Sequence, residues 1–82
     1  MIPRIQDIQA LDNFILWVKF DDGKQVHYDL NEDIATVPAF RSLQDEYGLY
    51  RSFQLDTSRT CVTWNEEIDL PSDCIYEYGK VI

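Results

Sequence analysis

Alternating apolar and polar positions mark the first half of the chain as strands. Segments 14–20 and 25–30 are rich in β-branched and aromatic residues, and the second alternates between apolar and polar side chains. Asp21, Asp22 and Gly23 lie between the two segments, a composition typical of hairpin turns. The pattern therefore predicts a β-hairpin.

Two registers compete for this hairpin, and a shift of one residue exchanges the two faces of a strand. A two-residue loop of Asp22 and Gly23 scatters the apolar side chains over both faces. A three-residue loop with Gly23 in the left-handed conformation gathers them on one face, so we expect this second register. Its pairs are Val18 with Val26, Leu16 with Tyr28 and Phe14 with Leu30.

A first strand over residues 4–10 is predicted to return onto the hairpin through a tight turn at Asp12 and Asn13, since both residues tolerate positive φ. This turn places Ile5 opposite Phe20 in the main core. It also gives the meander a second apolar face. The expected members of that face are Ile8 opposite Trp17 and Ala10 opposite Ile15, with His27 at the edge.

The second half of the chain predicts two helices and another hairpin. Pro38 opens and Gly48 ends a helical spacing over residues 39–47, and residues 71–79 repeat the arrangement of an early Pro and a late Gly. Strands at 52–55 and 60–64 flank a turn-forming stretch. We expect one α+β domain over residues 1–82: an antiparallel three-stranded meander, a short helix, a second β-hairpin and a C-terminal helical turn.

The charge of the chain excludes several classes of partner. Seven basic residues stand against fifteen acidic ones, a net charge of −8 over 82 residues, and the basic residues do not cluster. A field of this sign repels phosphate, which argues against direct nucleic-acid or anionic-membrane binding and would steer a basic protein partner. With no signal peptide or membrane-length apolar run, we expect a cytoplasmic protein.

The candidate chemistry is sparse. Cys61, Cys74 and the single His27 fall short of a four-ligand zinc site, so we expect two buried, reduced thiols and no metal or cofactor. His27 near Asp29 is interpreted as a cross-strand partner of Trp17 instead of a base, because no nucleophile is placed to use it. We assign no catalytic residue.

An alternative stays open: a small-ligand-binding protein or enzyme that uses His27 together with Glu66, Glu67 and Asp69. Paired carboxylates can act as acid and base when their environments differ. This alternative requires all four groups to converge in one pocket. The simpler interpretation of the three acidic residues is a solvated loop, because acidic side chains are rarely buried.

The second apolar face is the feature of the sequence that says most about function, because a large apolar patch on a small domain needs cover. The cover is either the C-terminal helix through Ile75 and Tyr78, a second copy of the chain, or a protein partner. The candidate interface residues are Ile8, Ile15, Trp17 and His27.

Several segments together resemble one bacterial family, the domain of unknown function 2442. They are residues 18–24, Phe53, residues 62–64, residues 68–71 and residues 75–79. The resemblance runs from the first strand to the last helix and implies a small α+β fold with no known activity, so no site residues carry over. It also implies relatives joined to helix-turn-helix segments and toxin–antitoxin-like gene pairing. We therefore expect a protein-binding or regulatory module without catalytic activity, with a toxin–antitoxin-like accessory role as one version.

Overall fold

A computed structural model describes residues 2–82, which form two antiparallel sheets with three helices packed against them. The first sheet has the strand order β1-β2-β3-β7 and the second the order β4-β5-β6. The strands are β1 (Ile5–Leu11), β2 (Ile15–Phe20), β3 (Gln25–Asp29), β4 (Gln54–Leu55), β5 (Cys61–Thr63), β6 (Asp69–Pro71) and β7 (Lys80–Val81). The helices are α1 (Asn31–Thr36), α2 (Ser42–Asp45) and α3 (Ser72–Tyr78), with 3-10 turns at Asp12–Phe14, Pro38–Arg41 and Tyr50–Ser52. The predicted α+β class is confirmed.

The β2–β3 hairpin has the register that the apolar pattern predicts. Leu16 lies opposite Tyr28 and Val18 opposite Val26. Gly23 has a φ of +93°, and its N–H donates to the carbonyl of Phe20 at 2.9 Å. The left-handed glycine thus closes the loop and keeps the apolar side chains of both strands on one face.

The predicted β1–β2 register is wrong beyond its first pair. Ile5 does lie opposite Phe20, but a bulge follows, and Ile8 then pairs with Val18 and Ala10 with Leu16. The cause lies in the turn, which takes three residues, Asp12–Phe14, instead of two. Because the register slips by one position, Ile8 and Ala10 move to the core face.

The helix predicted over residues 39–47 is a 3-10 turn (Pro38–Arg41) followed by the short α2. Phe40 and Leu43 are buried as the spacing predicts, whereas Tyr47 lies beyond the helix and is fully exposed. α1 was not predicted, since Asn31, Glu32 and Asp33 are typical of a polar loop. Its one buried residue, Ile34, anchors it to the core.

The C-terminal helix α3 covers the core face of the first sheet. Ile75 is fully buried, the Tyr76 ring stands edge-on to Phe20 with centroids 4.9 Å apart, and Gly79 packs against Val26. The alternative in which Ile75 and Tyr78 cover the opposite face is therefore wrong, and Tyr78 is 72% exposed.

The second hairpin is confirmed, with Leu55 opposite Val62, and β6 adds a third strand through the pair Val62 and Leu70. Val62 is fully buried and helps to close the core between the two sheets. Cys61 and Cys74 are free thiols, as expected, but they are half-buried instead of fully buried.

Candidate interaction surface

The first sheet has one face turned away from the core, which we call the outer face. Successive side chains of a strand point to opposite faces, and in β2 the alternation is strict: Leu16, Val18 and Phe20 are fully buried and the residues between them are half-buried. The strand registers place ten side chains on the outer face. They are Asp7, Gln9 and Leu11 of β1, Ile15, Trp17 and Lys19 of β2, Gln25, His27 and Asp29 of β3, and Lys80 of β7.

Three of the four predicted interface residues share this face. Ile15, Trp17 and His27 lie on it, whereas Ile8 lies on the core side opposite Val18 and packs against the buried cluster. Leu11 takes the place expected for an apolar residue of β1. The signal that identifies Leu11 is the three-residue turn, which was not recognised from the sequence.

Trp17 occupies the middle of the outer face. It pairs with Gln9 on one side and with His27 on the other, and its indole Nε1–H donates to Oε1 of Gln25 at 3.3 Å. Leu11 and Ile15 pair with each other beside it. All three apolar side chains are half-buried and lie outside the core cluster.

The outer face has no net side-chain charge. Two of the fifteen acidic residues, Asp7 and Asp29, and two of the seven basic residues, Lys19 and Lys80, lie on it. The net charge of −8 therefore falls entirely on the rest of the surface. Within the described chain, these four side chains are in no ion pair.

Several backbone groups at the β1 edge of the same sheet are capped. Arg51 donates to the carbonyl of Ala10 at 2.7 Å, and Arg59 donates to the carbonyl of Ile5 at 3.1 Å. The backbone N–H of Ile8 donates to the carboxylate of Asp7 at 2.8 Å. An edge whose backbone groups are satisfied in this way resists pairing with another strand. Strand addition is thus disfavoured at the β1 edge.

Tyr50 holds the turn that positions Leu11 and Ile15. Its hydroxyl lies 2.6 Å from the carbonyl oxygen of Leu11 and 2.8 Å from that of Ile15, so one proton serves both. The turn contains consecutive left-handed residues, Asn13 at φ 63° and Phe14 at φ 60°. The Phe14 ring packs edge-on to Tyr50 with centroids 5.0 Å apart. Burial raises the pKa of Tyr50 to about 12.

The opposite end of the hairpin is bound to the rest of the molecule by its two acidic residues. Both carboxylate oxygens of Asp21 accept hydrogen bonds from Arg59, at 2.7 and 2.8 Å, and this contact lowers the pKa of Asp21. Asp22 accepts from the Tyr76 hydroxyl at 2.6 Å and from the backbone N–H of Lys24 at 2.9 Å, which lowers its pKa. Asp22 therefore acts in the turn through the Lys24 N–H, as the sequence indicates, whereas the carboxylate of Asp21 ties the turn to Arg59.

A cleft of about 900 Å³ lies beside this turn. Its apolar wall includes Phe20 and Tyr76, and the N-terminal residues Ile2 and Pro3 form the other side. The carboxylates on its rim are those of Asp21 and Asp22, which Arg59 and Tyr76 already engage. The cleft is therefore lined in part by apolar surface, and its two carboxylates already accept hydrogen bonds from side chains of the same chain.

A smaller cleft of about 470 Å³ lies beside His27. Asp29, Glu32 and Asp33 line it, and the Tyr28 hydroxyl donates to Asp33 at 2.9 Å. Burial, followed by this hydrogen bond, raises the pKa of Tyr28. The half-buried thiol of Cys74 also lines the cleft, and burial together with nearby carboxylates raises its pKa and so keeps it protonated.

The four residues that the enzyme alternative requires do not lie together at this cleft. Glu66, Glu67 and Asp69 are exposed on the second sheet, at the turn between β5 and β6 and the start of β6, and none of them lines the cleft beside His27. The side-chain oxygen of Asn65 accepts hydrogen bonds from the backbone N–H groups of Glu67 and Ile68 and so shapes the turn. Among residues 2–82 no three His, Cys, Asp or Glu side chains are grouped to hold a metal ion.

One protein family matches the chain. The family described as "Protein of unknown function (DUF2442)" matches residues 5–81, nearly the whole length. No curated protein and no solved structure matches the chain. In the described residues, no helix is long and apolar enough to cross a membrane.

Proposed function

The chain belongs to the DUF2442 family, whose function is unknown, and on that premise we propose that it is a small protein-interaction module that acts through the outer face. The observation that carries this proposal is the position of Trp17. A large aromatic side chain lies half-buried at the centre of a sheet face, beside the pair of Leu11 and Ile15, and all three lie outside the core cluster. Partly exposed apolar side chains gathered on one face support a contact site, and Trp is among the residues most enriched in interface hot spots.

Two further features support contact through this face. The capped edge of β1 disfavours strand addition, so a protein that approaches this side of the sheet meets side chains instead of free backbone. The turn held by Tyr50 fixes Leu11 and Ile15 in place. A surface that is rigid before binding loses less entropy on association.

In this proposal the module is cytoplasmic and needs no catalytic group or cofactor. The toxin–antitoxin-like accessory role that the family resemblance implies is one version of it. The other protein of such a pair would be encoded beside this chain, which makes that neighbour the first candidate to test.

The test compares two single substitutions in co-purification with the product of the neighbouring gene and in self-association. Trp17→Glu introduces a charge at the centre of the outer face and should abolish association. Tyr47→Glu adds the same charge at a fully exposed position outside the face and should leave association unchanged. Both variants are first checked for the wild-type melting temperature. Equal association of the two folded variants would refute the proposal.

A further inference from the structure

We draw no further inference here: the strongest candidate, the cleft of about 470 Å³ beside His27 that Asp29, Glu32 and Asp33 line, is a cluster of acidic side chains, and nothing else among residues 2–82 points to a ligand that would occupy it.

Discussion

Trp17 lies directly opposite His27 on the neighbouring strand, yet its indole N–H is directed to the Gln25 side chain. The imidazole thus contributes surface to the row without accepting the hydrogen bond of the indole. We therefore expect His27 to matter for contact through the outer face and to matter little for the stability of the fold.

Replacement of His27 by Gln should therefore leave the monomer nearly as stable as the wild type. The half-buried site keeps a side chain that can lie beside Trp17, and surface substitutions of this kind change the free energy of unfolding by about 0.5 kcal/mol or less. Urea denaturation at a concentration where the chain is monomeric measures the change. A loss of several kcal/mol would assign His27 to the core instead.

Gly79→Ala should destabilise the chain by about 1–3 kcal/mol, the range for overpacking a well-filled core. A Cβ at this position would lie 2.6 Å from the carbonyl oxygen of Ile75 and 2.7 Å from Cγ2 of Val26. The comparison is Gly23→Ala, where the added Cβ meets open space and the cost comes from the positive φ alone. Urea midpoints of the two variants give the difference. A wild-type midpoint for Gly79→Ala would contradict the packing of α3 on the core face.

Tyr50→Phe should destabilise the chain by about 1–2 kcal/mol, because two carbonyls of the β1–β2 turn lose their shared donor. Tyr47→Phe is the matched control, as Tyr47 is fully exposed. Urea denaturation of both variants checks the difference, and equal midpoints would show that the hydroxyl does not hold the turn.

Stability should fall at alkaline pH between about 10 and 12, because the folded state raises the pKa of Tyr50 from 10.0 to about 12. Below the lower value both states keep the proton and the contribution is complete. Above it the unfolded chain loses the proton first, so unfolding becomes easier as pH rises. The slope of unfolding free energy against pH should be shallower in Tyr50→Phe. An unchanged slope would mean that Tyr50 does not cause the alkaline loss.

Asp21→Asn should flatten the acid limb of the stability profile. The Arg59 contact holds the pKa of Asp21 below 3.8, so its contribution is present above that value and is lost as pH falls through the lower, folded pKa. Thermal melts between about pH 5 and pH 2 should show a smaller decline for the variant than for the wild type. Asp73→Asn, which changes another exposed acid, is the control. An identical decline of stability at low pH in all three proteins would show that Asp21 does not contribute to acid unfolding.

The sequence predicts contacts that are close along the chain better than those that depend on distant segments. The register of β2 and β3 follows from Gly23 and the apolar alternation, both local features. The β1–β2 register depends on Phe14 adopting a positive φ, which is unfavourable for a large side chain and is stabilised here by Tyr50. No pattern within residues 4–20 reveals that distant partner.

The same difference between local and distant contacts explains which residues of the outer face could be predicted. Ile15, Trp17 and His27 were predicted for the outer face because β2 and β3 were placed correctly, whereas Ile8 was assigned to it through the wrong β1 register. Lys80 was missed, because a two-residue strand has no periodicity to recognise. Its pairing with His27 brings the fourth charge to the face.

The two arginines on the edge of β1 belong to residues 50–59, which a ribosome makes long after the strand itself. Until Arg51 and Arg59 arrive, the N-terminal meander exposes a row of unpaired backbone groups, the kind of template on which chains aggregate. Residues of the second half of the chain thus protect the edge of β1 from pairing with other chains once they have been made. A chain that ends before residue 50 lacks both arginines, so we expect the Ala10 and Ile5 carbonyls to be uncapped and the chain to aggregate more readily than the full protein.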